Sequence, residues 1–248
     1  MPNRITRVVA LACAGLLAAC GQKASSVSDE HIRLSKLEPL GSHTNSLIGK
    51  PRRVKPDEPD YVPEPVAQSL KAQLVKWKGG DAFVQALGYC SGVLVAERLG
   101  EKSACYNDFA IEPDAECVAK HGYGKQSIGQ ALTADRHDLN GDGIKDYIIS
   151  DRYYCHDLSA NQASVYFVML SKSKKEYELA YADWASYSLS VADDKVSGKL
   201  VLLEQALKSG YQYTRIHKLK NSKYVLQACV YHDENGYQTC DEANGGSK

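Results

Sequence analysis

The chain has 248 residues, with 30 Lys and Arg against 30 Asp and Glu, so its formal net charge is zero. That balance leaves no basic excess with which to hold nucleic acid or a polyanionic surface. A hydrophobic content of 44% is enough to build one domain with a real core.

Residues 1–19 read as an export signal. Arg4 and Arg7 give a basic start, and residues 8–17 form an apolar run too short to span a bilayer. Leu17-Ala18-Ala19-Cys20 ends it with small residues. This pattern resembles the signal of bacterial lipoproteins, whose lipobox is L-x-x-C. The resemblance implies cleavage before Cys20 and a lipid, palmitate included, on Cys20 as the first mature residue. An ordinary cleaved signal is the alternative. Gly21 follows Cys20, not the Asp that retains enteric-type lipoproteins in the inner membrane. The resemblance therefore implies an outer-membrane anchor in the cell envelope; the periplasmic face is preferred here over the cell surface. Removing Arg4 and Arg7 leaves 28 basic against 30 acidic residues.

Residues 20–65 read as a disordered tether. Ala24-Ser25-Ser26-Val27-Ser28 is small and polar, and Pro51, Pro56, Pro59, Pro63 and Pro65 crowd a charged stretch. Fully extended, such a tether reaches about 130 Å.

Residues 66–248 read as one globular domain. Its first part, 66–125, reads as mainly helical. Ala67, Leu70, Leu74 and Trp77 recur at helical spacing until Gly79-Gly80. Asp81 can cap a second helix bearing Phe83, Leu87, Cys90 and Leu94. Pro113-Asp114-Ala115-Glu116 opens a short third one. From 126 to 230 the pattern is mainly β. Strands are expected near 131–135, 146–151, 164–170, 176–182, 187–191, 199–204, 211–219 and 224–229, with Asn221-Ser222 as a turn. Residues 231–248 read as a C-terminal tail. The fold class is then α+β: an N-terminal helical layer packed on an antiparallel meander sheet.

Between the first two strands lies Asp138-Leu139-Asn140-Gly141-Asp142-Gly143-Ile144-Lys145-Asp146. Asp138, Asn140, Asp142 and Asp146 occupy relative positions 1, 3, 5 and 9, and the Ile144 carbonyl at position 7 can complete an oxygen set for Ca²⁺. Three carboxylates this close repel one another, and a dication neutralises them. An Asp/Asn/Gly-rich turn that binds nothing is the alternative. The loop is not an EF-hand, because position 12 is Ile149 within a strand-like run. The pattern D-x-N-G-D-G-x-x-D before a strand resembles the calcium loop of FG-GAP and VCBS propeller repeats. It also resembles dockerin loops, which lead into helices. The propeller resemblance implies a loop joining two antiparallel strands, a blade-like sheet, and Ca²⁺ held by Asp138, Asn140, Asp142, Ile144 and Asp146. The loop occurs once here, so the expectation is one blade-like sheet rather than a ring.

Beyond Cys20 the mature chain carries Cys90, Cys105, Cys117, Cys155, Cys229 and Cys240. An even count in an exported protein favours disulfide staples over a metal or thiol site, and no C-x-x-C pair exists. Proximity favours Cys105–Cys117 and Cys229–Cys240, which leaves Cys90–Cys155. Twelve of the 16 Tyr lie at or after Tyr147, where they can fill a core or form a recognition surface.

No nucleophile elbow, zinc helix or P-loop spacing is present. His137 and His156 sit near acids, but most of the seven His read as solvated surface residues. The leading reading is a calcium-loop binding lipoprotein with a periplasmic protein partner, ranked ahead of an enzyme. An immunity or inhibitor protein against a toxin or hydrolase fits it. A calcium-dependent envelope hydrolase and a structural outer-membrane lipoprotein are the rivals.

Overall fold

The computed structural model describes residues 27–40, 54–83, 132–150, 164–185, 188–208 and 211–240. Its strands form two antiparallel meanders. The first runs β1 (Thr133–His137), β2 (Asp146–Ser150), β3 (Ser164–Ser171), β4 (Tyr177–Ala185). The second runs β5 (Ser188–Asp194), β6 (Lys199–Lys208), β7 (Tyr211–Lys220), β8 (Lys223–Asp233), β9 (Gly236–Thr239). Two short helices, α1 (Asp29–Ser35) and α2 (Glu64–Leu74), complete the described elements.

Alternation along the strands sets the layering, because successive side chains point to opposite faces. All eight residues of β3 are buried. Val165, Phe167 and Met169 pack with Val66, Ala67, Leu70 and Leu74 of α2. Tyr166, Val168 and Leu170 pack instead with Leu189, Val191 and Leu202 of the second sheet. On the far side of that sheet, Val201, Leu203 and Ile216 pack with Leu34 of α1. The order of layers is α2, first sheet, second sheet, α1.

Edge strands present unpaired backbone groups, and on β1, β4 and β5 chain from outside the sheets covers them in part. On the β4 edge, the Gln73 side chain of α2 donates to the Tyr177 carbonyl at 2.9 Å and accepts from the Leu179 N–H at 2.8 Å. Tyr61 bridges Thr133 on β1, where the Ala134 N–H donates to the Asp60 carbonyl at 2.9 Å. Pro39 bridges Ala192 on β5, and the Leu40 N–H donates to the Val191 carbonyl at 2.6 Å.

These contacts correct the tether. Residues 27–40 and 54–63 belong to the folded body, with Leu34, Val54 and Val62 buried. Composition hid this because those segments contribute mainly backbone pairing and a few apolar anchors. Ser28 caps α1, accepting from the His31 N–H at 3.2 Å. The antiparallel meander is present, but as two face-packed sheets rather than one, and the described chain is mostly β. Among the described residues the expected helical layer is represented by α2, with the start of a helical turn at residues 80–83. The rest of the second expected helix and the third lie outside the described residues. The tail begins later than expected, since β8 continues to Asp233 and β9 pairs with it.

Cys229 and Cys240 form the disulfide seen among the described residues, with Cα atoms 5.2 Å apart. Cys20, Cys90, Cys105, Cys117 and Cys155 lie outside them.

Candidate functional site

The loop joins β1 to β2, whose register runs from Thr133 opposite Ser150 to His137 opposite Asp146. Gly141 and Gly143 take φ values of 79° and 85°, which side-chained residues resist. The turn wraps around Asp138. Its Oδ1 accepts the N–H groups of Gly141 at 2.8 Å and Asp142 at 3.0 Å, and its Oδ2 accepts that of Gly143 at 2.8 Å. Asn140 Oδ1 accepts from the Asp142 N–H at 3.0 Å, and Asp142 Oδ1 from the Ile144 N–H at 2.8 Å. Asn140 Nδ2 donates to Asp142 Oδ2 at 2.9 Å, holding those two side chains together.

Asp146 has a different position from the other three. It is fully buried, and its two oxygens accept from the Leu139 N–H and the Ser171 N–H, each at 2.7 Å. It thus clamps the loop to the end of β3. Ser171 reinforces the clamp by donating its hydroxyl to the Lys145 carbonyl at 2.8 Å. Burial raises the Asp146 carboxyl above its usual range; the two N–H donors oppose this, and the charges of Asp142 and Asp138 add to it. Close by, Tyr224 is 8% exposed, and its buried hydroxyl has no hydrogen-bond partner among the described residues. Burial, and then the Asp146 charge, push that phenol well up.

The groups able to hold a hard cation are the oxygens of Asp138, Asn140 and Asp142, the Ile144 carbonyl and Asp146. Asp138 Oδ1 accepts two loop N–H groups, whereas Asp138 Oδ2 and the oxygens of Asp142 and Asp146 each accept one hydrogen bond and retain a second lone pair. Among the described residues no three acidic, His or Cys side chains converge as a ready metal cluster. The donor chemistry fits Ca²⁺, in that all donors are oxygen and two of them are neutral.

A second polar cluster lies between the sheets. Glu204 of β6 is fully buried, with Oε1 accepting from Arg215 Nη1 at 2.6 Å. Its Oε2 lies 2.9 Å from His217 Nε2 and accepts from the Tyr181 hydroxyl at 3.0 Å. Burial would raise this carboxyl, but the His217 hydrogen bond and the charges of Arg215 and His217 hold it below its usual range. Burial pushes the Tyr181 phenol well above its usual range, and the Glu204 charge adds to the rise. Tyr181 belongs to the first sheet and the other three residues to the second, so the cluster links them. His217 is 5% exposed, which corrects the solvated reading for this histidine. Glu204 carries the signal for it: Leu200, Leu202 and Glu204 share one strand face, and an acid on a buried face needs partners.

His137 ends β1 and has interactions of its own. His156 and His121 lie outside the described residues. Tyr166, Tyr181 and Tyr224 fill the core, as Tyr147 and Tyr177 border it. Tyr211, Tyr213 and Tyr231 instead form an aromatic ridge on β7 and β8, with centroids 5.6 Å and 5.2 Å apart along it.

Fold and loop together define a mostly β protein of two face-packed meanders, with an oxygen-lined turn clamped into one of them. Comparison with known proteins adds no relative: no family, no curated protein and no solved structure matches the chain.

Proposed function

We propose that the chain is a binding lipoprotein of the bacterial envelope, held in the outer membrane by lipid on Cys20 and facing the periplasm. Its loop holds one structural Ca²⁺, and its task is to neutralise a periplasmic toxin or hydrolase as an immunity or inhibitor protein. The aromatic ridge carries the binding reading. Tyr anchors protein interfaces well, and Tyr211 at the ridge's end is 45% exposed. The calcium reading rests on the oxygen set of the loop. The first sheet, a four-stranded meander with that loop on its first turn, supports reading it as blade-like.

The test is an affinity capture with the full chain from envelope and secreted fractions, in Ca²⁺ and in chelator. One stoichiometric protein is expected, retained by the unaltered chain and lost with Tyr211→Ala and Tyr231→Ala combined. Capture unchanged by both substitutions would place the contact surface elsewhere. Metabolic labelling with palmitate, lost in Cys20→Ser, tests the anchor.

A further inference from the structure

The balanced total charge conceals a division between the two ends of the sheets. The β1–β2 loop and the β5–β6 turn share one end, where Asp138 and Asn140 stand across a cavity from Lys199 and Lys218. The β3–β4 and β7–β8 turns meet there too, and Lys172 Nζ donates to Ser222 Oγ at 2.9 Å. Lys145, Lys174, Lys175, Lys195, Lys199 and Lys220 are exposed on or beside these four turns. None of the six has a carboxylate partner among the described residues.

Most carboxylates at this end are engaged. Asp194 holds Arg33, Glu30 holds Lys218, and Glu178 lies 3.0 Å from Lys172 and 3.4 Å from Lys223. Asp138 and Asp142 accept the loop's own N–H groups. Asp29, Glu176 and Asp193 oppose the six lysines in smaller number. The opposite end is acidic. Asp57, Glu58 and Asp60 precede Tyr61, which bridges the first residue of β1, and Asp233 and Glu234 lie at the β8–β9 turn, with Lys55 as their basic counterpart.

The basic end also turns aliphatic side chains outward. Val196, 77% exposed, stands in the β5–β6 turn between Lys195 and Lys199, and Ile144, 37% exposed, precedes Lys145 in the loop. A single exposed aliphatic residue is ordinary on a protein surface. Two that stand among lysines match a bilayer interface, where ammonium groups meet phosphates and apolar groups enter the acyl boundary below them. A partner held by charge alone has no use for them. The chain also joins the body at this end, since Glu30 in the first turn of α1 pairs with Lys218.

We propose that this end docks on an anionic phospholipid bilayer, its six lysines among the headgroup phosphates and Val196 and Ile144 in the interface beneath them. The molecule leans on the corner where α1 begins. This contact is separate from a lipid on Cys20: the lipid sets a distance, and the lysines select which end meets the surface.

Vesicle flotation with the full chain tests this, in EDTA so that no dication bridges carboxylates to phosphates. The vesicles are phosphatidylcholine alone or with about a third phosphatidylglycerol, in salt of about 50 or 500 mM. At low salt the anionic vesicles should be bound at least about a hundredfold more tightly than the neutral ones, and high salt should erase the difference. Each lysine near an anionic surface is worth about fivefold, so Lys174→Gln, Lys175→Gln, Lys195→Gln and Lys199→Gln combined should remove the preference. Val196→Asp should weaken anionic binding about tenfold, and Lys55→Gln, at the far end, should leave it unchanged. The preference should persist in Cys20→Ser. Equal binding to both vesicles overturns the proposal, and if that binding is lost in Cys20→Ser the lipid anchor still stands. An anionic preference that survives the four lysine substitutions overturns it as well. So does Val196→Asp without effect, or a single-stranded oligonucleotide bound as tightly as the anionic vesicles, which makes the end a general polyanion site.

Discussion

Two carboxylates away from the loop tie the body together, and both make its stability depend on acid. Asp194, at the end of β5, accepts from Arg33 of α1 at 2.7 Å and from the Ser197 hydroxyl at 2.6 Å. The Arg33 hydrogen bond is the main reason its carboxyl falls to about 2; the Ser197 hydroxyl and the Arg33 charge assist, against the effect of burial. A carboxylate lowered on folding stabilises the fold above its unfolded value and stops doing so as pH falls through the folded one. The contribution of Asp194 is therefore complete above about pH 4 and lost toward pH 2. Arg33 is 36% exposed, so solvent screening trims the contribution to about 1–2 kcal/mol. Asp194→Asn should remove that much at pH 7 and nearly nothing at pH 2, as read by urea melts at both. Glu204, also held low, acts in the same direction. Glu204→Ala strands His217 and Tyr181 in the interior and should cost about 3–5 kcal/mol, whereas Glu204→Gln keeps the shape and should cost less. Equal losses in the two variants would mean that the charge, not the packing, holds the sheets.

At the scale of elements, α2 was legible and α1 was not. The apolar spacing of Ala67, Leu70 and Leu74 is carried by sequence alone, and Pro65 in the first turn suits a helix start. Leu70 is fully buried against the first sheet, so Leu70→Ala should cost about 2–5 kcal/mol in thermal or denaturant melts. In α1 only Leu34 is buried, and seven residues with one apolar anchor give no period to read. The strands were legible where alternation or buried runs were long, as in β3 and β6. Pairing was legible only where a turn announced it. Asn221 and Ser222, at φ 50° and 59°, close the β7–β8 hairpin that their sequence suggests. Strand β9 is four residues long and partly buried throughout, and Cys240, just past its end, is bonded to Cys229. Closing a loop of that span is worth about 3 kcal/mol in the chain-entropy model. Replacing both cysteines with Ala should lower stability by about that amount and speed amide exchange at Tyr237 and Gln238 before the rest of the sheet.

At the scale of the whole molecule, what could not be read was the meeting of two sheets. Leu200, Leu202 and Glu204 announce a face, but not the Tyr166, Val168 and Tyr181 face that covers it. Such partners lie far apart in the chain, and one chain carries no record of which faces meet. The same limit applies to the loop. Spacing picks out Asp138, Asn140, Asp142 and Asp146, but not that Asp146 is spent on fastening β2 to β3, nor that Lys199 stands across a cavity. If the loop takes up Ca²⁺, the clamp transmits the gain to the core. Saturating Ca²⁺ at 100 times its Kd should stabilise the protein by about 2.7 kcal/mol, and Asp142→Ala should abolish the increment with little effect in EDTA. A melting temperature indifferent to Ca²⁺ in the unaltered protein would remove the ion from the account.

The packing of α1 also decides how far the body can stand from a bilayer. Only the eight residues between Cys20 and Asp29 separate the proposed lipid from the first folded turn. Their contour is at most about 28 Å, against the roughly 130 Å of a free leash. A lipid on Cys20 would hold the molecule close to the headgroups, with the α1 side of the second sheet inward and α2 outward. Access to that leash would then be restricted to partners that approach from the α2 side or along the sheet ends. Spin-labelled lipid should quench a fluorophore on α1 and leave one on α2 bright.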